Sequence, residues 1–439
     1  MNRPSSIFRY LALPACALLS ACNDDTSGTG LSAGAGQFAV VSSNYMGATS
    51  ISLLGPDGEV THPEWVGSKT ENPKLRSPLS EDVVLTSVSS DGRTLTTIVR
   101  TLGVITRFDV KDGAVLGQLR ADDSPEDDEA AFHSNPQDVL YVSETSAWVS
   151  RWQQNPDDAA EERERGNDLI EWNPTTFERT GRRIDLRDLN ESIEEEQFDK
   201  DGNSQGKRQA VAYASPNAIV PVGGFAAVGI TGISESYNYG PGKLAIVDLA
   251  RAKLLHVLEL DGVANCGEVK PVPGDDRSVI VGCIGAYGDE GAGAGILKVT
   301  VDAAGLPKVT RAFRVAQHEG AANTASNLAA LGGDTVIAVA AGRIDPKTMQ
   351  ADLKDRLFKV DLETGDQTEL HESAGAFSLG VPAFDRASGV LLVPDAGSSD
   401  RPEYGVQRFE VSADHDVKHD AFIEVAPNTT LAARQVLAL

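Results

Sequence analysis

One unit, an apolar alternating strand followed by a tight polar turn and a second strand, returns seven times along this chain, and that recurrence limits what the chain can fold into more than any other feature. It reads Ile51-Ser52-Leu53-Leu54-Gly55-Pro56-Asp57-Gly58, then Thr106-Arg107-Phe108-Asp109-Val110-Lys111-Asp112-Gly113, then Leu169-Ile170-Glu171-Trp172-Asn173-Pro174. Further copies lie at 244–249, 296–299, 357–365 and 406–411. Most follow a second hairpin: 139–143 turning into 148–150, 218–222 into 226–229, 328–331 into 336–340, and 381–384 into 390–393. Two hairpins make four strands per unit. Apolar residues recur at period two almost throughout, which rules out amphipathic helices.

Seven four-stranded units, none able to bury both of its faces alone, predict an all-β fold: a seven-bladed β-propeller of four-stranded antiparallel blades spanning residues 37–439. The two or three domains that 439 residues would suggest become one ring. The first unit begins at Gln37-Phe38-Ala39-Val40-Val41-Ser42 without an inner strand before it. The last is followed by a surplus strand, Gln435-Val436-Leu437-Ala438-Leu439. The C-terminus should therefore supply the innermost strand of blade 1 and remove the open edge. In this architecture, notably the strand and Val-Asp-Leu-Glu-Thr-Gly turn at 357–365, residues 37–439 resemble the YVTN-type seven-bladed propellers, including the WD40-like lipoproteins of bacterial envelopes.

Residues 1–21 read as an address. Arg3 and Arg9 precede an apolar stretch, residues 7–19, too short to span a bilayer with margin, so a secretory signal is expected. Leu19-Ser20-Ala21-Cys22 resembles a bacterial lipobox, which implies cleavage before Cys22 and attachment of diacylglycerol to its sulfur. Residues 22–36 then form a lipid-anchored flexible tether, whose 14 residues after the cysteine give an r.m.s. reach of roughly 20 Å. Asn23 stands where an aspartate would favour inner-membrane retention, which points to the outer membrane.

Only Cys266 and Cys283 remain in the body of the protein. They lie symmetrically about a Pro273-Gly274-Asp275-Asp276 turn between two strand-like segments, so they should face each other across a hairpin and form a disulfide in an oxidising envelope. A two-cysteine metal site would lack further nearby ligands.

In a blade whose strands run A to D from the axis outwards, the A–B and C–D turns share one face of the ring, and the B–C and D–A connections share the other. The A–B and C–D turns read as uniformly short. The long segments are 120–138, 151–168, 185–213, 231–242, 285–294, 342–355 and 395–404, all on the second face. Long loops on a rigid scaffold are where binding concentrates, so a ligand-binding face is expected there. Three of these loops, 121–138, 153–168 and 185–201, carry −17 of the charge, against a total of −25. Such a balance disfavours nucleic acid, whose phosphates need clustered Lys and Arg. It suits either solubility or a cation, basic ligand or basic partner.

Candidate chemistry follows from residue type and place. Asp199, Asp201 and Asn203 space oxygen ligands at alternate positions around Gly202, as calcium loops do, although Ala210 stands where an EF-hand has its bidentate acid. His318 and His371 open matching His-Glu pairs expected in successive D–A connections, and His133 lies in another, so three imidazoles could approach one mouth. Trp152, Tyr237, Tyr239, Tyr287, Phe377 and Tyr404 are aromatic residues of the loop face suited to stacking on a flat ligand or partner, about half of them exposed. Within residues 37–439 no Gly-x-Ser-x-Gly elbow or reactive-cysteine setting occurs. The resemblance to propeller lactonases and lyases, which use His, Glu and Arg at the channel mouth, implies that His133, Glu268, Arg343 and Asp395 would fill such roles here. The resemblance to surface propeller lipoproteins that accompany outer-membrane transporters implies instead a non-catalytic module that captures a small molecule or metal chelate. A scaffold for envelope complexes is a third expectation.

Overall fold

Period-two alternation turns each repeat into a four-stranded antiparallel sheet, and seven such sheets form the ring. The computed structural model describes residues 37–439 except 46, 73, 81, 87–91, 123–131, 158, 199–203, 286–292, 316–325, 346, 347, 349, 399–401 and 428. From the axis outwards, blade 1 consists of Ala432–Ala438, Phe38–Ser43, Thr49–Leu54 and Val60–Gly67. Blades 2 to 7 take their strands in chain order and begin with inner strands Val83–Leu85, Pro136–Ser143, Pro216–Val222, Glu268–Val272, Ser326–Gly332 and Ala383–Asp385.

Each blade is covered on both sides by its neighbours, so the second strands read as continuous buried runs: all of Phe38–Ser43 and all of Thr94–Val99 are buried. The hydrophobic core is accordingly divided into seven clusters, one between each pair of adjacent blades. Phe108 and Leu53 join blades 1 and 2, and Trp148 and Leu169 join blades 3 and 4. The pairing of third and fourth strands slips in every blade, for instance at Arg107/Phe108, Lys298/Val299 and Arg408/Phe409. A bulge adds local twist, and its return at equivalent places shows how closely the seven units share one backbone design.

The C-terminal strand closes the ring, with Phe38 opposite Ala438 and Val40 opposite Val436. Both ends of the propeller meet on the short-turn face, where the Leu439 N–H donates to Gln37 O at 2.9 Å.

Cys266 and Cys283 are bonded and fully buried. The hairpin register differs from expectation by one residue: Glu268 lies opposite Gly282, and a bulge sets Val272 against Asp275 across a two-residue Pro273-Gly274 turn. Cys266 falls just ahead of the inner strand and bridges to Ile230 of blade 4. The disulfide thus staples the entry of blade 5 to the end of its second strand. Gly242 leaves room for the Cys266 sulfur, which any Cβ there would strike. Replacing both cysteines by alanine is expected to cost about 3 kcal/mol, read as a lower urea midpoint that reductant no longer shifts.

The C–D turns are all five residues or fewer. The A–B turns are two to four residues except in blade 2, where 86–93 connects the two strands, so that turn departs from the uniform shortness expected. The loop face also carries the connection 68–82 and, within 186–215, a separate hairpin of Glu191–Phe198 and Ser204–Ala212.

Candidate functional site

Inner strands that start at the loop face bring their first residues to the mouth of the central channel. A cavity of about 540 Å³ runs along the axis, lined at the mouth by Arg100, Gln137, Asn217, Asn265, Glu268 and Asn327. Apolar residues such as Val220, Ala330 and Leu437 line it further in. Three entries share a left-handed residue: Asn135 (φ 49°), Ser215 (φ 51°) and Asn265 (φ 55°).

Three residues beyond that turn in blades 3 and 5, where blade 4 has Ala218, an acidic side chain clamps the next blade. Asp138 Oδ2 accepts the Ile219 N–H at 3.0 Å, and Glu268 Oε1 accepts the Leu328 N–H at 2.7 Å. Asn327 Nδ2 donates to Leu379 O at 3.2 Å, and the Gln435 amide pairs with both Leu85 N–H (2.8 Å) and Leu85 O (2.7 Å). These bonds satisfy inner-strand backbone groups that no strand covers at the axis. Alignment of Asn135-Pro136-Gln137-Asp138 with Asn265-Cys266-Gly267-Glu268 carried this signal in the sequence.

Burial in the channel wall pushes the Asp138 carboxyl from 3.8 up to about 6, against the pull of the Ile219 and Val139 N–H groups and the Lys270 charge. Between those two values the folded protein holds a proton that the unfolded chain has released, so stability falls as pH rises through that window. The loss is at most about 3 kcal/mol, and less in so far as the residue is only half-buried. Asp138→Asn is expected to flatten this slope, checked by comparing melting temperatures of the two proteins from pH 4 to pH 7.

The expected quartet does not converge. Glu268 is on the channel wall, 3.4 Å from Lys270 Nζ, with its carboxylate committed to the neighbouring blade. Asp395 is buried inside blade 7, where it accepts from Ser373 Oγ (2.7 Å), the Gly397 N–H (3.0 Å) and Gln407 Nε2 (3.0 Å) and pairs with His371 Nε2 (2.9 Å). Burial would raise its pKa, but these partners outweigh it and hold the carboxyl below its ordinary value. Arg343 is exposed on a short two-stranded excursion and paired with Asp352 at 3.0 Å. His133 is half-buried beside Ser134, whose N–H and hydroxyl bind Asp122.

His371 belongs to the outer strand Gln367–Glu372, not to a D–A connection as expected. Its ring stacks on His419 at 6.2 Å, and Gln407 links His419 to Asp395, so the imidazole is drawn into the join of blades 6 and 7. His318 and Tyr287 lie outside the described residues, as do Asp199, Asp201 and Asn203. Among the described residues no group of three His, Cys, Asp or Glu could hold a metal.

Tyr237 and Phe377 stand exposed on the loop face, both with left-handed backbone (φ 62° and 55°). Trp152, Tyr239 and Tyr404 are half-buried, and Trp152 Nε1 donates to Thr231 Oγ1 at 3.4 Å. One aromatic feature escaped the sequence reading. Tyr45, also exposed and left-handed (φ 55°), lies over the Arg434 guanidinium at 4.6 Å. Nothing in the local residue pattern of a loop marks such a pair, because the two are brought together by ring closure.

Much of the acidity of the loop face is spent internally. Asp122, Asp168 and Glu195 are buried, with Arg120, Arg151 and Arg208 respectively as partners. Glu161, Glu162 and Glu194 remain exposed.

Fold and channel together define a seven-bladed β-propeller with four-stranded antiparallel blades. No family model matches the chain, and no curated protein matches it. Among solved structures it is similar to a "putative 6-phosphogluconolactonase" from Bacteroides fragilis, with TM-score 0.52 and 9 % identity over 91 % of this chain and 97 % of that one. A second protein so described, from Bacteroides uniformis, gives TM-score 0.51 and 10 % identity over 91 % and 98 %. A "hypothetical selenium-binding protein" from Sulfolobus tokodaii gives 0.50 and 10 % over 92 % and 93 %. Likeness at this level establishes the fold.

Proposed function

We propose that this chain is a cell-envelope lipoprotein, held at the outer membrane by Cys22, whose propeller binds a small molecule, a metal chelate or a partner protein on its loop face and delivers it to an outer-membrane transporter without catalysis. The observation that carries the binding role is the confinement of nearly all elaboration to the face where the polar mouth of a channel of about 540 Å³ opens. The commitment of Glu268 and Asp395 to structural hydrogen bonds argues against their use as catalysts. The test has two parts. Mass spectrometry of the N-terminal peptide should find diacylglycerol on Cys22, lost in Cys22→Ser. A melting-temperature screen against cofactors, metal chelates and metals should find a ligand whose effect is lost when Asn217 and Asn265 are both changed to leucine. A screen without any shift, together with no partner captured from membranes, would remove the binding reading.

A second reading, a propeller hydrolase or lyase, would use Asp138, an acid on the channel wall whose pKa of about 6 suits proton transfer near neutrality but whose Oδ2 also holds the Ile219 N–H. Turnover of a lactone or ester panel that Asp138→Asn abolishes would establish it in place of the first.

A further inference from the structure

We infer that the short-turn face is a lipid-contacting surface, which docks on zwitterionic headgroups and turns the loop face away from the anchoring membrane. This rests on the reading of Cys22 as the lipid-bearing residue, and it adds an orientation that the reading does not contain.

The first argument is where the tether joins the propeller. Gln37 leads into Phe38, which pairs with Leu54 next to the Gly55 turn, so the chain enters the ring on the short-turn face. It enters at the second strand, near the axis. To bring the loop face to the membrane, the tether would have to pass two further strands, at ~4.8 Å each, and then descend the blade. A nine-residue strand such as Ser146–Gln154 spans roughly 30 Å. The whole path is about 40 Å. The 15 residues from Cys22 to Gly36 reach about 50 Å at full stretch and roughly 20 Å as a coil. Only a nearly straight tether could serve the loop face, whereas the short-turn face needs no extension.

The second argument is what that face exposes. Val142 and Leu306 are 52 % and 55 % exposed, and Pro221 and Pro271 are exposed beside half-buried Phe225. Val142, Pro221, Phe225 and Pro271 line one shallow groove of about 760 Å³ across blades 3 to 5. Gly305, the neighbour of Leu306, lies against Phe225 and extends the apolar sector to the next turn. Water-facing turns gain nothing from such residues, but a headgroup layer would cover them. The charges around the sector are mixed, Glu144, Asp275, Asp276 and Asp302 standing among Arg251, Arg277, Arg182 on the Leu249 and Ala250 carbonyls, Lys298 near Asp275 and Arg386 against Gly274, so zwitterionic lipid fits, while the net charge of −25 on the whole chain repels anionic lipid.

The test places one fluorophore at a time, through Val142→Cys, Leu306→Cys, Tyr237→Cys or Phe377→Cys, in the lipidated mature protein on phosphatidylcholine vesicles carrying a headgroup quencher. Labels at 142 and 306 should lose more than half of their emission, those at 237 and 377 less than a tenth, and anionic lipid should weaken the contrast. Equal quenching at all four sites, or stronger quenching at 237 and 377, overturns the inference. The same variants with Cys22→Ser and an N-terminal histidine tag, held on nickel-chelating lipid, separate the two claims. If mass spectrometry finds no lipid on Cys22, the anchor reading fails, and the tagged proteins alone decide the orientation by the same contrast.

Discussion

Ending the chain after Ala433 is expected to lower the melting temperature by about 10 °C or more, although it removes only six residues. Those residues hold Val436, buried between blades 7 and 1, and Gln435, whose amide bonds Leu85 twice. Their loss also uncovers one edge of Phe38–Ser43, every residue of which is buried. Lost apolar burial and orphaned backbone groups together amount to on the order of 10 kcal/mol. For about 400 ordered residues, 1 kcal/mol moves the midpoint by about 1 °C. Calorimetry on the truncated and full chains checks this, and an unchanged melt would sink the closure. Because the truncated chain could fail to fold at all, a milder version is Val436→Asp, expected to melt several degrees early for the same reason.

The second large effect is expected at Arg151, the most deeply buried cation among the described residues. Its Nε and Nη2 hold both oxygens of Asp168 at 2.7 and 2.8 Å, its Nη1 donates to Ala121 O at 3.0 Å, and Arg183 closes on Asp168 from the other side. Arg151 and Asp168 are wholly excluded from solvent. Arg151→Met would leave Asp168 with one cation and Ala121 O with only the longer bond from Arg179 Nη1 at 3.5 Å, a cost of about 3–5 kcal/mol. Arg151→Lys should recover little, since an ammonium cannot bond both carboxylate oxygens in the same plane. Adding Asp168→Leu to Arg151→Met should recover a large part, because the uncompensated charge is then gone. Urea unfolding of the three variants decides the matter, and a loss below 1 kcal/mol in Arg151→Met would contradict this account.

The fold was legible because blades write themselves as short apolar strands, alternating where one side meets water and near-continuous where both sides are buried, and because turns such as Pro56-Asp57-Gly58 and Glu363-Thr364-Gly365 punctuate them at a steady interval. Ring closure was legible from a missing strand at one end and a spare one at the other. The disulfide was legible from symmetry about its turn, with an error of one residue that the bulge at Val272 accounts for. The site was less so. Glu268 and Asp395 have the residue type of catalysts, yet their environments make them clamps, and a side chain's partners are fixed by blades distant in sequence. The acidic loops read as a charged face, but the arginines that neutralise Asp168 and Glu195 lie 17 and 13 residues away along the chain and become neighbours only across strands. Tyr45 over Arg434 spans nearly the whole length of the protein.

Closure by the last strand has a consequence for biogenesis. A chain that emerges N-terminus first delivers Phe38–Ser43 early and its partner Ala432–Ala438 last. Blades 2 to 7 can form in order of arrival, but the second strand of blade 1 waits with an unpaired apolar edge for almost the entire passage. The period of greatest vulnerability to aggregation therefore falls before the last strand arrives, and chaperones would be needed at the beginning of the chain rather than at its end.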